Sequence, residues 1–331
     1  MPQDKTTYAV TGANGFIASY LIKKLLDQGF NVNCTIRSLD SVKERSSHLI
    51  ALDPEGNRLK FFEADLLKDG SFAECFKGVE GVFHTASPFQ IFVEDAQRDL
   101  VDPALKGTEN VVKEALKSPT VKRIVVTSSV AAVRNSLKSA GEPFNENDWN
   151  TTSTLETEAY PLSKVLAEKK AWELVQNKEL NTRGVRLTTV NPSFVLGPPL
   201  SDRTDSTSVV AIKEILENAH TKGLPKLRFG CVYIGDVVDA HIHAMLDDNA
   251  QGRYIVSSYD AITRQQMAEW LHEKYPHVQT ATAEGGEYNP DTKIDASKVQ
   301  KDFGMKLTPV RDAVLEQAEQ LYKLGIVKKQ Q

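Results

Sequence analysis

Residues 6–18, Thr-Thr-Tyr-Ala-Val-Thr-Gly-Ala-Asn-Gly-Phe-Ile-Ala, constrain this chain more than any other stretch. Tyr8, Ala9 and Val10 form a short β-type run that leads straight into a glycine turn. The turn opens a segment in which Ile17, Leu21, Leu25 and Leu26 recur at helical spacing. Strand, glycine turn and helix in that order are the setting in which a glycine motif can hold a phosphate. Gly12 permits the tight turn, and Gly15 lets the backbone approach a pyrophosphate closely. The helix N-terminus adds open N–H groups and the positive end of its dipole. The spacing is G-x-x-G-x-x-A, and Ala18 is small enough for the helix to pack closely on the strand. Two glycines at an ordinary strand-to-helix turn would look the same, so the reading depends on the rest of the chain.

The alternation continues. Strands are predicted over Asn31–Arg37, Leu59–Asp65, Gly81–Ala86, Lys122–Thr127 and Val185–Val190. Between them, helices are predicted over Ser41–Leu52, Ser71–Phe76, residues 97–117 and Glu156–Gln176. Short apolar strands alternating with helices predict an α/β fold, a doubly wound parallel sheet with its ligand at the carboxyl ends of the strands. Gly197-Pro198-Pro199 and the polar stretch 201–208 mark a departure from the sheet. A helix over Asp236–Leu246 and a strand over Arg253–Val256 return to it. Residues 259–331 read as mostly helical, punctuated by Pro276, Pro290 and Pro309. The predicted organisation is a dinucleotide-binding domain over 5–195 and 235–258, with a smaller, mostly helical substrate lobe over 196–234 and 259–331.

Composition excludes several classes of partner. A net charge of −4 over 331 residues, with no basic run, gives no electrostatic footprint for nucleic acid or an anionic membrane. No apolar run approaches the ~18 residues of a membrane helix. Met1-Pro2-Gln3-Asp4-Lys5 carries no hydrophobic signal core. Cys34, Cys75 and Cys231 are scattered, without a C-x-x-C, which favours a reducing compartment over a disulfide framework or a cysteine-rich zinc site. A cytoplasmic protein without a bound metal is the expectation.

The end of the second strand selects the nucleotide. An acidic residue there binds a ribose 2′-hydroxyl, whereas an arginine accommodates a 2′-phosphate. This chain has Arg37, then Ser38 and, further on, Lys43, while the nearest acid is Asp40. The expectation is therefore NADPH rather than NADH. Asp65 and Leu66, after the third strand, read either as an adenine contact or as a simple helix cap.

The reactive candidates are Ser129, Tyr160 and Lys164. In Tyr160-Pro161-Leu162-Ser163-Lys164 the phenol and the ammonium stand one helical turn apart on one face. Thr127-Ser128-Ser129 precedes them at the ligand edge of the sheet. An ammonium beside a phenol stabilises its anion. Such a phenol can give a proton to a carbonyl oxygen that becomes negative as hydride arrives, while a serine hydroxyl holds the same oxygen. Ser128 is the neighbouring candidate for that second role. His241 and His243, two apart on a helix, cannot face one ligand, and His84 reads as a core histidine. Phe89, Phe92, Phe194 and Tyr233 read equally well as pocket walls or as core, and Lys328–Gln331 as a solvated tail.

Six segments, VTGANGFIAS (10–19), VFHTASPF (82–89), VVTSSVAAV (125–133), YPLSK (160–164), NPSFVLGPP (191–199) and YIGDVVDAHIHAM (233–245), carry a resemblance. The chain resembles an extended short-chain dehydrogenase/reductase of Rossmann fold. Within that group it is similar to the branch holding dihydroflavonol reductases, cinnamoyl-CoA reductases and yeast aldehyde or methylglyoxal reductases. The resemblance implies NADP(H) contacts at Gly12, Gly15, Phe16, Ile17, Arg37, Lys43, Asp65, Leu66, Thr85, Ala86, Ser87, Tyr160, Lys164, Pro192, Phe194 and Val195. It implies proton donation by Tyr160, ribose binding by Lys164 and a substrate contact from Ser129. It further implies a small-molecule carbonyl substrate and a monomer or homodimer.

Two departures narrow the substrate. Glu158-Ala159-Tyr160-Pro161-Leu162 replaces the Asn-Trp-Tyr-Cys-Tyr of plant cinnamoyl-CoA reductases, and Arg134 falls where dihydroflavonol reductases use an asparagine. TASPF and SSVAAV sit closer to microbial carbonyl reductases. Substrate specificity is expected in residues 134–155 and after residue 196. The expected activity is NADPH-dependent reduction of an aldehyde or ketone. A nucleotide-sugar epimerase or dehydratase of the same fold is one alternative, against which Arg37 counts. A non-catalytic NADP(H) sensor is another, against which the Tyr160/Lys164 pair counts.

Overall fold

Strands buried along nearly their whole length, such as Gly81–His84, need cover on both faces, and the helices between them provide it. The computed structural model describes residues 6–87, 94–134, 142–288 and 292–328. Expectations placed on Phe89, Phe92 and Pro290 fall outside these residues. The chain runs β1 (Thr7–Val10), α1 (Phe16–Asp27), β2 (Asn31–Ile36), α2 (Val42–Arg45), α3 (Ser47–Ile50), β3 (Leu59–Glu63) and β4 (Gly81–His84). After them come α4 (Asp102–Lys117), β5 (Arg123–Thr127), α5 (Leu155–Gln176), β6 (Arg186–Pro192), β7 (Phe194–Leu196), α6 (Thr207–Leu216), β8 (Arg228–Phe229) and β9 (Cys231–Tyr233). The last elements are α7 (Ile234–Leu246), β10 (Gly252–Val256), β11 (Ile262–Thr263), α8 (Arg264–Lys274), α9 (Ser297–Phe303) and α10 (Val310–Lys323).

The expected doubly wound sheet is present. Its seven strands lie in the order β10-β6-β5-β4-β1-β2-β3. The pairs β1–β2, β1–β4, β2–β3, β4–β5 and β5–β6 are all parallel. The order reverses between β1 and β4, so the carboxyl ends of these two strands flank the crevice in which such sheets take ligands. Ala9, Val82, Ile124 and Leu187 from the sheet pack with Phe72, Phe76, Val111 and Leu174 in one buried cluster.

Two predicted helices are corrected. Residues 71–78 form turns, and they are too few to nucleate a helix on their own. Instead Phe72 and Phe76 stack at 5.7 Å into the core, and the Ser71 hydroxyl donates to the Asp65 carbonyl at 2.8 Å. The stretch 41–52 is broken into α2 and α3 at Ser46, which leaves helical dihedrals at φ −124°, ψ 17°. Ser46 is buried, and its hydroxyl donates to Asn14 Oδ1 in the glycine turn at 2.8 Å.

The chain forms two compact units. The first comprises Met1–Ser136, Glu146–Asn191 and Val238–Tyr254, and the second Leu137–Asn145, Pro192–Val237 and Ile255–Gln331. In the second, β7 runs parallel to β9 and β8 antiparallel to β11. Its helices α6, α8 and α10 bury Ile212, Leu271, Val314 and Leu321 together. Buried Gln317 joins the parts, accepting from the Gly197 amide at 3.0 Å and donating to the Ser208 carbonyl at 2.9 Å. Helix α6 and the short strands β7, β8, β9 and β11 were not expected from the sequence. The strands have too few residues to show a period, and α6 follows directly on a polar, proline-bearing run.

Phe76 is 1% exposed at the centre of the first unit. Phe76→Ala is expected to lower that unit's unfolding free energy by about 3–5 kcal/mol, read from the midpoint of a urea titration. A shift below ~1 kcal/mol would contradict this packing.

Candidate active site

The glycine turn is a tight piece of backbone. Gly12 has φ +73°, and a Cβ there would lie 3.0 Å from Cα and Cβ of Ala86. Its amide donates to Thr35 Oγ1 at 3.1 Å, and the Ala13 amide donates to the Thr35 carbonyl at 2.9 Å. Gly15 is the N-cap of α1, exposed, and offers no side chain to the first-turn amides of Phe16 and Ile17. Those amides and the helix dipole suit an anion, so the turn fits the pyrophosphate of a dinucleotide. Thr11 links the turn to β4. Its hydroxyl accepts the Thr85 and Ala86 amides at 3.2 and 3.0 Å and bonds Nδ1 of buried His84 at 2.9 Å. With both acceptor sites used, Thr11 donates to Nδ1, so His84 is a neutral imidazole with its proton on Nε2, facing Thr108 Oγ1 at 3.4 Å. Burial, and secondarily the Lys164 ammonium, lower its pKa to about 3. His84 is the core histidine expected.

Arg37 and Lys43 are both exposed beyond β2. The acid of this corner comes from β3. Glu63 pairs in register with Ile36, and its carboxylate accepts the Leu39 amide at 3.1 Å. Asp65 caps a turn through Oδ1, which accepts the Leu67 amide at 2.8 Å. The Leu66 carbonyl accepts from Asn110 at 2.8 Å, and its side chain packs where Gly107 leaves room.

Helix α5 carries Tyr160 and Lys164, the two candidates expected there. A Thr154/Thr157 capping box starts it, and Glu158 breaks it at φ −151°, ψ 69°. Helix resumes just before Tyr160, so Pro161 stands in a first turn where no N–H is needed. Lys164 Nζ lies 5.5 Å from the centre of the Tyr160 ring and donates to Ser87 Oγ at 3.0 Å. Tyr160, Lys164 and Ser87 are thus brought together. At the end of β5 the two serines differ. The Ser128 hydroxyl is buried and donates to Glu168 at 2.5 Å. Ser129 is half-buried, and its hydroxyl accepts the Ala131 amide at 3.1 Å, leaving its own proton to give. Pro192, Phe194 and Val195 belong to the second unit, where Phe194 stacks on Phe229 at 5.1 Å and Val195 pairs with Val232. Tyr233, in that unit, donates its hydroxyl to Glu316 at 2.9 Å, and burial first, then Glu316, push its pKa up to about 12. His241 is buried on Thr127 Oγ1 at 2.7 Å, and no metal-binding group of His, Cys, Asp or Glu occurs among the described residues.

A profile of the 3-beta hydroxysteroid dehydrogenase/isomerase family matches residues 9–265. The chain belongs to that family. Its relatives include a cinnamoyl-CoA reductase of Medicago truncatula, 37% identical over 322 residues and 94% of either chain. Tetraketide alpha-pyrone reductase 2 of Arabidopsis thaliana is 40% identical over 279 residues, 82% of this chain and 83% of the relative. Among solved structures, yeast methylglyoxal/isovaleraldehyde reductase complexed with NADPH superimposes with a TM-score of 0.86 at 28% identity, covering 97% of this chain and 99% of that one. Vestitone reductase from alfalfa gives 0.79 at 29% identity over 98% and 100% of the two chains. The branch of extended reductases read from the motifs is the one these relatives represent. Whole-chain identity is higher to the two plant relatives than to the yeast structure, although the two motif departures point the other way.

In this 3-beta hydroxysteroid dehydrogenase/isomerase family member the residues missed from sequence are the ones that hold the others. Thr11, Thr35, Ser46, Glu168 and Asn191 make long-range polar contacts that a periodic pattern does not encode. Glu168 alone left a signal, since it follows Lys164 by four residues on the same helical face.

His84 supplies a titration test. Its folded pKa lies below the unfolded value near ~6.5, so its contribution is complete above that pH and declines as pH falls toward about 3. His84→Asn keeps an acceptor for Thr11 and removes the titration. Wild-type stability should fall more steeply than the variant's below the unfolded pKa, by up to ~1.4 kcal/mol per pH unit. Equal slopes would contradict a buried neutral His84.

Proposed function

We propose that this protein is an NADPH-dependent carbonyl reductase that converts an aldehyde or ketone to the alcohol. The observation carrying the proposal is Lys164, whose ammonium lies over the Tyr160 ring and bonds Ser87 beside the glycine turn. When bound, the dinucleotide supplies the hydride. Gly12, Gly15, Phe16 and Ile17 would hold its pyrophosphate, Arg37 and Lys43 its 2′-phosphate, and Asp65 and Leu66 its adenine. Thr85, Ala86 and Ser87 would line its nicotinamide half. Lys164 would bind the ribose and steady the Tyr160 phenolate electrostatically. Tyr160 gives its proton to the substrate oxygen, and Ser129 donates a hydrogen bond to the same oxygen. Ser129 is preferred over Ser128 because the Ser128 proton is already committed to Glu168.

Residues 5–195 with 235–258 are assigned to cofactor binding, and 196–234 with 259–331 to the substrate. A cytoplasmic monomer or homodimer belongs to the same proposal. The reducing compartment is supported by free, buried Cys34, Cys75 and Cys231, whose thiols burial pushes well above the ordinary range. None of the helices among the described residues is long and apolar enough to cross a membrane.

The test is loss of reduced-nicotinamide absorbance with NADPH, then NADH, against aldehydes, α-dicarbonyls and β-ketoesters. Turnover with NADPH is expected, and Tyr160→Phe should lower kcat by about 10²–10⁴-fold with NADPH affinity retained. Tight NADPH binding without turnover anywhere on the panel would favour the sensor, and a preference for NADH would remove the role given to Arg37. Arg37→Glu should weaken NADPH binding by about tenfold or more and leave NADH within about threefold, as expected where a guanidinium holds the 2′-phosphate.

A further inference from the structure

A carboxylate buried in a protein is costly unless every lone pair is satisfied, and apolar residues of similar volume often stabilise as well or better. Glu168 on α5 has a side chain that is 0% exposed. Its Oε2 accepts from the Ser128 hydroxyl at 2.5 Å and from Asn191 Nδ2 at 2.8 Å. Its Oε1 accepts from Arg253 Nε at 2.6 Å, Thr189 Oγ1 at 3.1 Å and Trp172 Nε1 at 3.4 Å. One side chain therefore ties α5 to the ends of β5 and β6 and to β10.

The elements it joins carry the reactive groups. Glu168 follows Lys164 by one helical turn and Tyr160 by two, on the same face. Asn191, itself buried, passes its second amide proton to the Ser129 carbonyl at 3.2 Å. Arg253 lies across the Trp149 ring at 3.9 Å and donates to the carbonyls of Glu146, at 3.0 Å, and Asp148, which holds the segment that leads into α5. Asn150, next along, donates through its side chain to the Ala131 carbonyl at 3.0 Å, closing the circuit on the Ser129 strap.

We propose that Glu168, neutralised by Arg253, is a positioning residue for carbonyl reduction. It withdraws the Ser128 hydroxyl from the site and, through Asn191, fixes the Ser129 backbone against the helix that presents Tyr160 and Lys164. This rests on the roles given above to Ser129 and Tyr160.

The test uses the full chain, with NADPH and the fastest carbonyl of the panel. Glu168→Gln should lower kcat by about tenfold or more, the effect of a small misplacement of reacting groups. NADPH affinity by fluorescence and KM should each change by less than about threefold, since the contacts to ligands are untouched. Hydrogen exchange of the amides at 131–133 should quicken. The paired variant Glu168→Met with Arg253→Met removes the unmatched charge; thermal stability should return while kcat and exchange protection do not. If the pair recovers kcat together with stability, or if Glu168→Gln keeps kcat within twofold, the positioning role is overturned. If the wild type reduces no carbonyl, the reductase reading fails, and exchange alone decides: unchanged protection at 131–133 in Glu168→Gln overturns the anchoring.

Discussion

A threonine hydroxyl can accept two hydrogen bonds and donate one, and the ligand end of this sheet is assembled around one that does all three. Thr11 takes the amides of Thr85 and Ala86 and gives its proton to His84. That arrangement requires His84 to stay neutral, which its burial enforces. It also brings Ala86 against Gly12, where a Cβ would lie 3.0 Å from Ala86 Cα and Cβ. One residue further on, Ser87 receives the Lys164 ammonium. The glycine turn, the exit of β4 and the helix bearing Tyr160 are therefore successive links of one chain of contacts.

A second centre sits one helical turn beyond Lys164 on α5. The Glu168–Arg253 pair is buried, and its further donors come from the end of β5 and from β6. Together the two centres explain why two adjacent serines at the end of β5 have different fates. The hydroxyl of Ser128 faces inward to the carboxylate, whereas that of Ser129 keeps a proton to give.

Much of the first unit was legible because hydrophobic periodicity reports faces. Strands of four to seven residues and helices such as α4 and α5 lie close to where apolar spacing put them. Periodicity failed where a single polar contact overrides a local pattern. Ser46 splits a predicted helix to reach Asn14, and Phe72 and Phe76 give up a helix to stack in the core. The candidate site shows the same division. Gly12, Tyr160 and Lys164 announce themselves through local spacing, while Arg253 meets Glu168 across 85 residues of chain with nothing local to mark the encounter. In the second unit, strands of two or three residues fall below the length at which any period is visible.

The central claim is that hydride passes from the dinucleotide to a substrate carbonyl while Tyr160 supplies the proton. The most direct test is a single-turnover reaction with NADPH deuterated at its transferable nicotinamide position, followed by mass and NMR analysis of the product. The account predicts an alcohol carrying one deuterium on the carbinol carbon for each NADPH oxidised. A product formed without net oxidation of NADPH and without label would contradict it and point instead to redox-neutral chemistry of the epimerase or dehydratase kind.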